Sequence, residues 1–118
     1  MLQTADQQWK VVFYISSTGD NPVQDFLDQY PSIDAKATRI LFNIKEYGLD
    51  SVIPRLKKLS GTPLWEIRIL GQDSARILYV TKKEKQILVL HAFIKKTNKT
   101  PSKEIEIALD RLKEVVDY

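Results

Sequence analysis

Hydrophobic positions along the chain change period three times, and each change marks a new kind of element. Trp9-Lys10-Val11-Val12-Phe13-Tyr14-Ile15 is β-branched and aromatic and runs into Ser16-Ser17-Thr18-Gly19-Asp20, the pattern of a strand ending in a turn. Asn21 followed by Pro22 starts a helix, with a side-chain cap and then a proline at the first helical position. This short helix carries Val23, Phe26, Leu27 and Tyr30, and Pro31 restarts the chain into a longer one. Ile33, Ala37, Ile40, Leu41, Ile44 and Tyr47 recur there at helical spacing until Gly48 stops the run. Two adjacent helices of this kind predict a helical hairpin packed on a sheet.

Beyond Arg55 the period becomes two. Leu64 to Leu70 sends Trp65, Ile67 and Ile69 to one face and Glu66 and Arg68 to the other. Gly71-Gln72-Asp73-Ser74 reads as a turn, Ala75–Thr81 as the next strand, and Lys82-Lys83-Glu84-Lys85 as a polar hairpin turn. Gln86–Ile94 is apolar at nearly every position, as expected of a central strand covered on both faces. Thr100-Pro101 then caps a last helix with the stripe Ile105, Ala108, Leu109, Leu112 and Val116, and Glu104 and Glu106 sit near its positive N-terminal end. The predicted order is β-α-α-β-β-β-α. This is an α+β fold with a twisted, mainly antiparallel sheet, an N-terminal helical hairpin and a C-terminal helix.

At 118 residues the chain suits one domain with a genuine core. It has no cysteine, which removes disulfides, thiolate metal sites and a Cys nucleophile. Met1–Trp9 has no apolar run and no stretch approaches a membrane span, so a cytoplasmic protein is expected. Net charge is only +3, but its distribution is uneven. Arg55 to Lys99 holds eleven basic residues against three acids, and the remainder carries seven against twelve. Charge segregated in this way is the footprint of a polyanion site, or else a solvated face.

Candidate chemistry is therefore cationic. There is no Gly-rich phosphate loop, and His91 is the only histidine, which rules out paired-histidine catalysis and ordinary zinc sites. The acids lie mostly on helices without ligand spacing, which argues against a two-metal nuclease. Arg68 and Arg76 on successive strands can share one face, with Lys95 and Lys96 at the adjoining strand end and Lys57 and Lys58 before the first meander strand. Guanidinium forks match phosphate oxygens and a developing phosphorane. Metal-free cleavage of RNA additionally needs a base for the 2′-OH and an acid for the 5′-oxygen. Crowding among cations lets a lysine take such a part. DNA lacks the 2′-OH and is not cut this way. The plainer reading of the same residues is phosphate binding alone. Glu66 is either the ion-pair partner of Arg68 or a general base, and His91 is either a buried, hydrogen-bonded histidine or a catalytic one. Tyr79, Trp65 and Trp9 are expected in the core. Lys82, Lys83 and Lys85 are turn residues suited to contacts with RNA or to solubility.

Three blocks carry a family likeness: Leu56-Lys57-Lys58-Leu59, then Leu64-Trp65-Glu66-Ile67-Arg68, then Arg76-Ile77-Leu78-Tyr79. They resemble the RelE/HigB-type toxins of bacterial type II toxin–antitoxin systems, and within them the phage-derived HigB-like branch. Leu90-His91-Ala92-Phe93-Ile94-Lys95-Lys96-Thr97-Asn98-Lys99-Thr100-Pro101 is similar to that branch's "hgF-KKtqktP" signature. The likeness covers Leu56 onward, and the helical hairpin before it agrees in order. It implies a single RelE-like toxin domain over residues 1–118. The implied activity is a ribosome-dependent mRNA endoribonuclease that uses 2′-OH attack and needs neither metal nor other cofactor. The implied partners are the ribosome with mRNA, a cognate helix-turn-helix antitoxin, and operator DNA bound by the toxin–antitoxin hetero-oligomer. By position, Arg68, Arg76 and Lys96 with Lys95 match the family's basic set, and Lys57, Lys58, Lys82, Lys83 and Lys99 are left as RNA contacts. Glu66 departs from RelE proper, which has lysine there, and RelE's C-terminal catalytic tyrosine has no counterpart in the last helix. The general acid and base stay unassigned between Glu66, His91 and the lysines. The alternatives are a gyrase-inhibiting toxin of the related ParE type and a non-catalytic RNA-binding or decayed domain.

Overall fold

A computed structural model describes residues 8–71 and 74–115. Strand β1 (Lys10–Phe13) leads to helices α1 (Pro22–Gln29) and α2 (Pro31–Tyr47), and a 3₁₀ segment, Leu49–Arg55, follows. Strands β2 (Leu56–Lys58), β3 (Trp65–Ile69), β4 (Ala75–Lys82) and β5 (Gln86–Ile94) precede helix α3 (Ser102–Lys113). The five strands form one sheet in the order β1-β5-β4-β3-β2, parallel between β1 and β5 and antiparallel elsewhere. The α+β expectation is met, with one strand more than the pattern predicts. Lys57 and Lys58 lie within the short edge strand β2 rather than before the meander, and three residues are too few for an alternation to register.

Local chemistry sets the element ends. The Asn21 side chain accepts the Gln24 N–H at 3.1 Å, with Pro22 opening α1 behind it. A single residue, Tyr30, separates α1 from α2, and its ring packs against Phe26 with centroids 5.0 Å apart. Gly48 ends α2 at φ +88, a left-handed backbone that glycine adopts without steric cost. It also lies so close to the Trp9 indole that a β-carbon would sit 3.1 Å from its Nε1. Helix α3 does not start as expected. Pro101 is its N-cap residue with no side-chain cap bond, and the Thr100 hydroxyl bonds elsewhere.

Two apolar layers sandwich the sheet. On one face α1 and α2 bury Val23, Leu27, Ile33, Ala37 and Ile44 against Ile67, Ile69, Ile77 and Tyr79. On the other, α3 lays Ala108, Ile105 and Leu109 over Leu78, Val80, Leu88 and Leu90. Strand β5 is buried at every position from Ile87 to Phe93, as its unbroken apolar run requires. Trp9 and Trp65 pack at the margin of the first layer. Tyr47 breaks the expected core stripe: it is the last residue of α2 and is 71% exposed. Val116, expected on the last stripe, and Gln72 and Asp73, expected in the meander turn, lie outside the described residues. No helix among the described residues is long and apolar enough to cross a membrane.

Candidate functional site

Antiparallel pairing arranges the α3 face of the sheet in rows. Lys57 pairs with Glu66, Glu66 with Leu78 and Leu78 with His91; in the next row Arg68 pairs with Arg76 and Arg76 with Phe93. Two arginines directly opposite one another repel. The compensating charge is diagonal to Arg76, in the neighbouring row. Arg76 Nε donates to Glu66 Oε1 at 3.0 Å, with both side chains almost wholly buried. Glu66 is therefore the partner of Arg76 and not of Arg68. Same-strand alternation cannot distinguish the two, because the diagonal neighbour is set by register. The other Glu66 oxygen accepts the Thr100 hydroxyl.

Glu66 bonds only one of the two guanidiniums, so among the described residues the row holds more positive than negative charge. Arg76 Nη1 and Arg68 Nε are buried and have no hydrogen-bond partner among the described residues. Each such donor costs about 1–3 kcal/mol where no acceptor reaches it. An anion placed against this row supplies the missing charge.

The lysines divide by position. The Lys95 backbone N–H donates to Ser74 O at 3.0 Å, extending the β4–β5 ladder by a residue, and its side chain is partly buried. Lys96 and Lys99 are exposed on the loop that returns to Thr100. Lys57 is exposed in the Glu66 row, on the arginine face. Lys58 points the other way by alternation, and its ammonium is held by the carbonyls of Leu59 and Thr62. Lys82 ends β4 opposite Gln86, and Lys83 follows it. Six residues separate Lys82 from Arg76, about 20 Å along a strand, so neither turn lysine joins the arginine row.

His91 belongs to a second polar cluster. A bulge opposite the Leu78–Tyr79 step leaves Leu90 unpaired with β4, and both Leu90 and His91 meet α3. Arg111 Nη1 donates to the freed Leu90 carbonyl at 2.9 Å and lies 3.3 Å from His91 Nδ1. Because arginine only donates, Nδ1 of the neutral ring accepts, and Nε2–H donates to Glu104 Oε1 at 2.6 Å. Burial pushes the His91 pKa below its ordinary value; Arg111 adds to this, and the bond to Glu104 opposes it. The Tyr14 hydroxyl bonds Glu114 at 2.6 Å, which raises its pKa, and Arg111 lies over the Tyr14 ring. His91 is buried and hydrogen-bonded, with a protein partner at each ring nitrogen. Among the described residues no three acidic or histidine side chains converge as a metal site would require.

Thr100, Glu104 and Arg111 are not among the candidates the sequence offers. Glu104 and Arg111 carry a signal, since they flank Ala108 at the i, i+4, i+7 spacing of the inward stripe. Thr100 carries none, because only the fold brings it to Glu66.

Fold and cluster define a class: an α+β domain whose sheet presents an under-neutralised pair of arginines. The chain belongs to the phage-derived Gp49-like protein family (DUF891), whose family model matches residues 24–113. It is a toxin-like family of toxin–antitoxin systems. No curated relative matches the chain.

Proposed function

We propose that this protein is a RelE/HigB-type toxin that cleaves mRNA on the ribosome. The observation carrying the reading is the Arg68–Arg76 cross-strand pair, in which a single buried carboxylate bonds Arg76 and Arg68 has no ion-pair partner among the described residues. A phosphodiester fits that deficit in charge. In the reaction the 2′-oxygen attacks the adjacent phosphorus and the P–O5′ bond breaks. The 2′-proton passes to a base and a proton is delivered to the 5′-oxygen, leaving a 2′,3′-cyclic phosphate and a 5′-hydroxyl. Arg68 and Arg76 oppose the charge that grows on the non-bridging oxygens. Lys95 and Lys96 are left as the candidates for proton transfer, since Glu66 is occupied on both oxygens and His91 on both nitrogens. A helix-turn-helix antitoxin encoded beside it, the ribosome as scaffold and a cytoplasmic location complete the reading.

Mapping mRNA 5′ ends after brief induction tests it, with wild type against Arg68→Ala. Codon-linked cuts bearing 5′-hydroxyls are expected in wild type, at least about tenfold fewer in the variant, the loss of one charged hydrogen bond in the transition state. Growth arrest with DNA breaks and intact mRNA would instead indicate a gyrase poison, and arrest indifferent to Arg68→Ala a non-catalytic binder.

A further inference from the structure

The loop between β5 and α3 is tied down at two places, and they flank the arginine row. At its start the Lys95 N–H bonds Ser74 O, two residues before Arg76 on β4. At its end the Thr100 hydroxyl bonds Glu66, two residues before Arg68 on β3. Because β3 and β4 are antiparallel and Arg68 pairs with Arg76, Ser74 and Glu66 lie on opposite sides of that row. The two anchors are about 13 Å apart along the strands, so Lys96–Lys99 must cross the row to join them. A threonine beside a helix start ordinarily caps it. Here the hydroxyl is committed to Glu66, and α3 begins without a side-chain cap.

We infer that Glu66 is a positioning residue: it orients Arg76 with one oxygen and, through Thr100, fastens the lysine loop across the arginines with the other, so that both cation sets face one phosphodiester. This rests on the ribonuclease reading above for its substrate, but the fastening itself does not. Glu66 is 1% exposed, so its charge is poorly hydrated and a hydroxyl donor to it is worth more than one on a solvated carboxylate. Thr100 is partly exposed on a loop, and removing its hydroxyl leaves both hydrophobic layers intact.

The test compares full-length wild type, Thr100→Val, which is nearly isosteric without the hydroxyl, and Thr100→Ser, which restores it. Amide hydrogen exchange at Glu104 and Ile105, whose N–H groups bond Pro101 O where the loop enters α3, should quicken about tenfold in Thr100→Val, corresponding to one lost hydrogen bond, with the unfolding free energy lowered by no more than that one bond. Single-turnover cleavage of ribosome-bound mRNA at saturating protein should fall about tenfold, and Thr100→Ser should recover both. Wild-type exchange in Thr100→Val overturns the fastening. Faster exchange with undiminished or increased cleavage overturns the positioning role and makes the loop a cover instead. A wild-type protein that cuts no ribosome-bound mRNA defeats the ribonuclease reading, while the exchange data still decide whether the loop is fastened.

Discussion

Arg68 and Arg76 face each other across two strands, yet the chain holds them in different ways. Arg76 is 3% exposed and paired with a carboxylate that is equally buried, while Arg68 is partly exposed and has no ion-pair partner among the described residues. Removing one member of a buried pair strands the other as an unpaired charge, at a cost of about 3–5 kcal/mol. Arg76→Ala is therefore expected to lower unfolding free energy by that amount in a denaturant titration. Arg68→Ala removes a like-charge neighbour and a buried, unbonded N–H, and should stay within about 1 kcal/mol of wild type. If both variants unfold with wild type, the Glu66–Arg76 pair is not the structural element its burial implies. The same contrast decides which arginine can report on function. A dead Arg76→Ala protein confounds chemistry with folding, whereas a dead Arg68→Ala protein does not.

Helix α3 is attached to the sheet by polar contacts as well as by its apolar stripe, and one of these makes stability depend on pH. His91 sits between Arg111 and Glu104 with its folded pKa pushed below the ordinary 6.5. The unfolded chain then binds a proton at a higher pH than the folded one. Its contribution is fully present above about pH 6.5, is lost as pH falls toward the folded value, and is flat below it. Denaturation midpoints between roughly pH 7.5 and 5 should show this loss. His91→Gln should remove that part of the slope, and an equal slope in the variant would assign it to other groups. The same cluster shows which parts of the molecule its sequence reveals. Strand and helix periods are local, so the meander, both long helices and the faces bearing Arg68 and Arg76 are legible from single runs such as Leu64–Leu70. The bulge at Leu90, the Glu66–Arg76 diagonal and the Thr100 contact depend on register between segments 10, 13 or 34 residues apart. No single run encodes those contacts. Glu104 and Arg111 stand between these cases: their phase on the helix marks them as inward, but only the fold names what they meet.

At the scale of the whole molecule the basic segment divides between two ends of the sheet. The arginine row and its loop occupy one end. Lys82, Lys83 and Lys85 occupy the β4–β5 turn, about 20 Å away along the strand. The Debye length at physiological salt is about 8 Å, so the two groups do not act on the same phosphate. A scaffold as large and as anionic as a ribosome offers separate phosphates to both, and the turn cations then contribute to association without contributing to chemistry. Lys82→Gln/Lys83→Gln/Lys85→Gln should therefore weaken binding to mRNA-programmed ribosomes and flatten its salt dependence. Each phosphate neutralised by a lysine adds about 0.7–0.9 to the slope of log K against log salt, so removing all three cations should lower that slope by roughly 2. Cleavage of mRNA already bound should proceed at the wild-type rate. Filter binding from about 50 to 200 mM salt, with single-turnover cleavage measured in parallel, separates the two effects. An unchanged salt slope would make the turn a solvated surface, and a slower bound-state rate would place its lysines in the reaction despite their distance from Arg76.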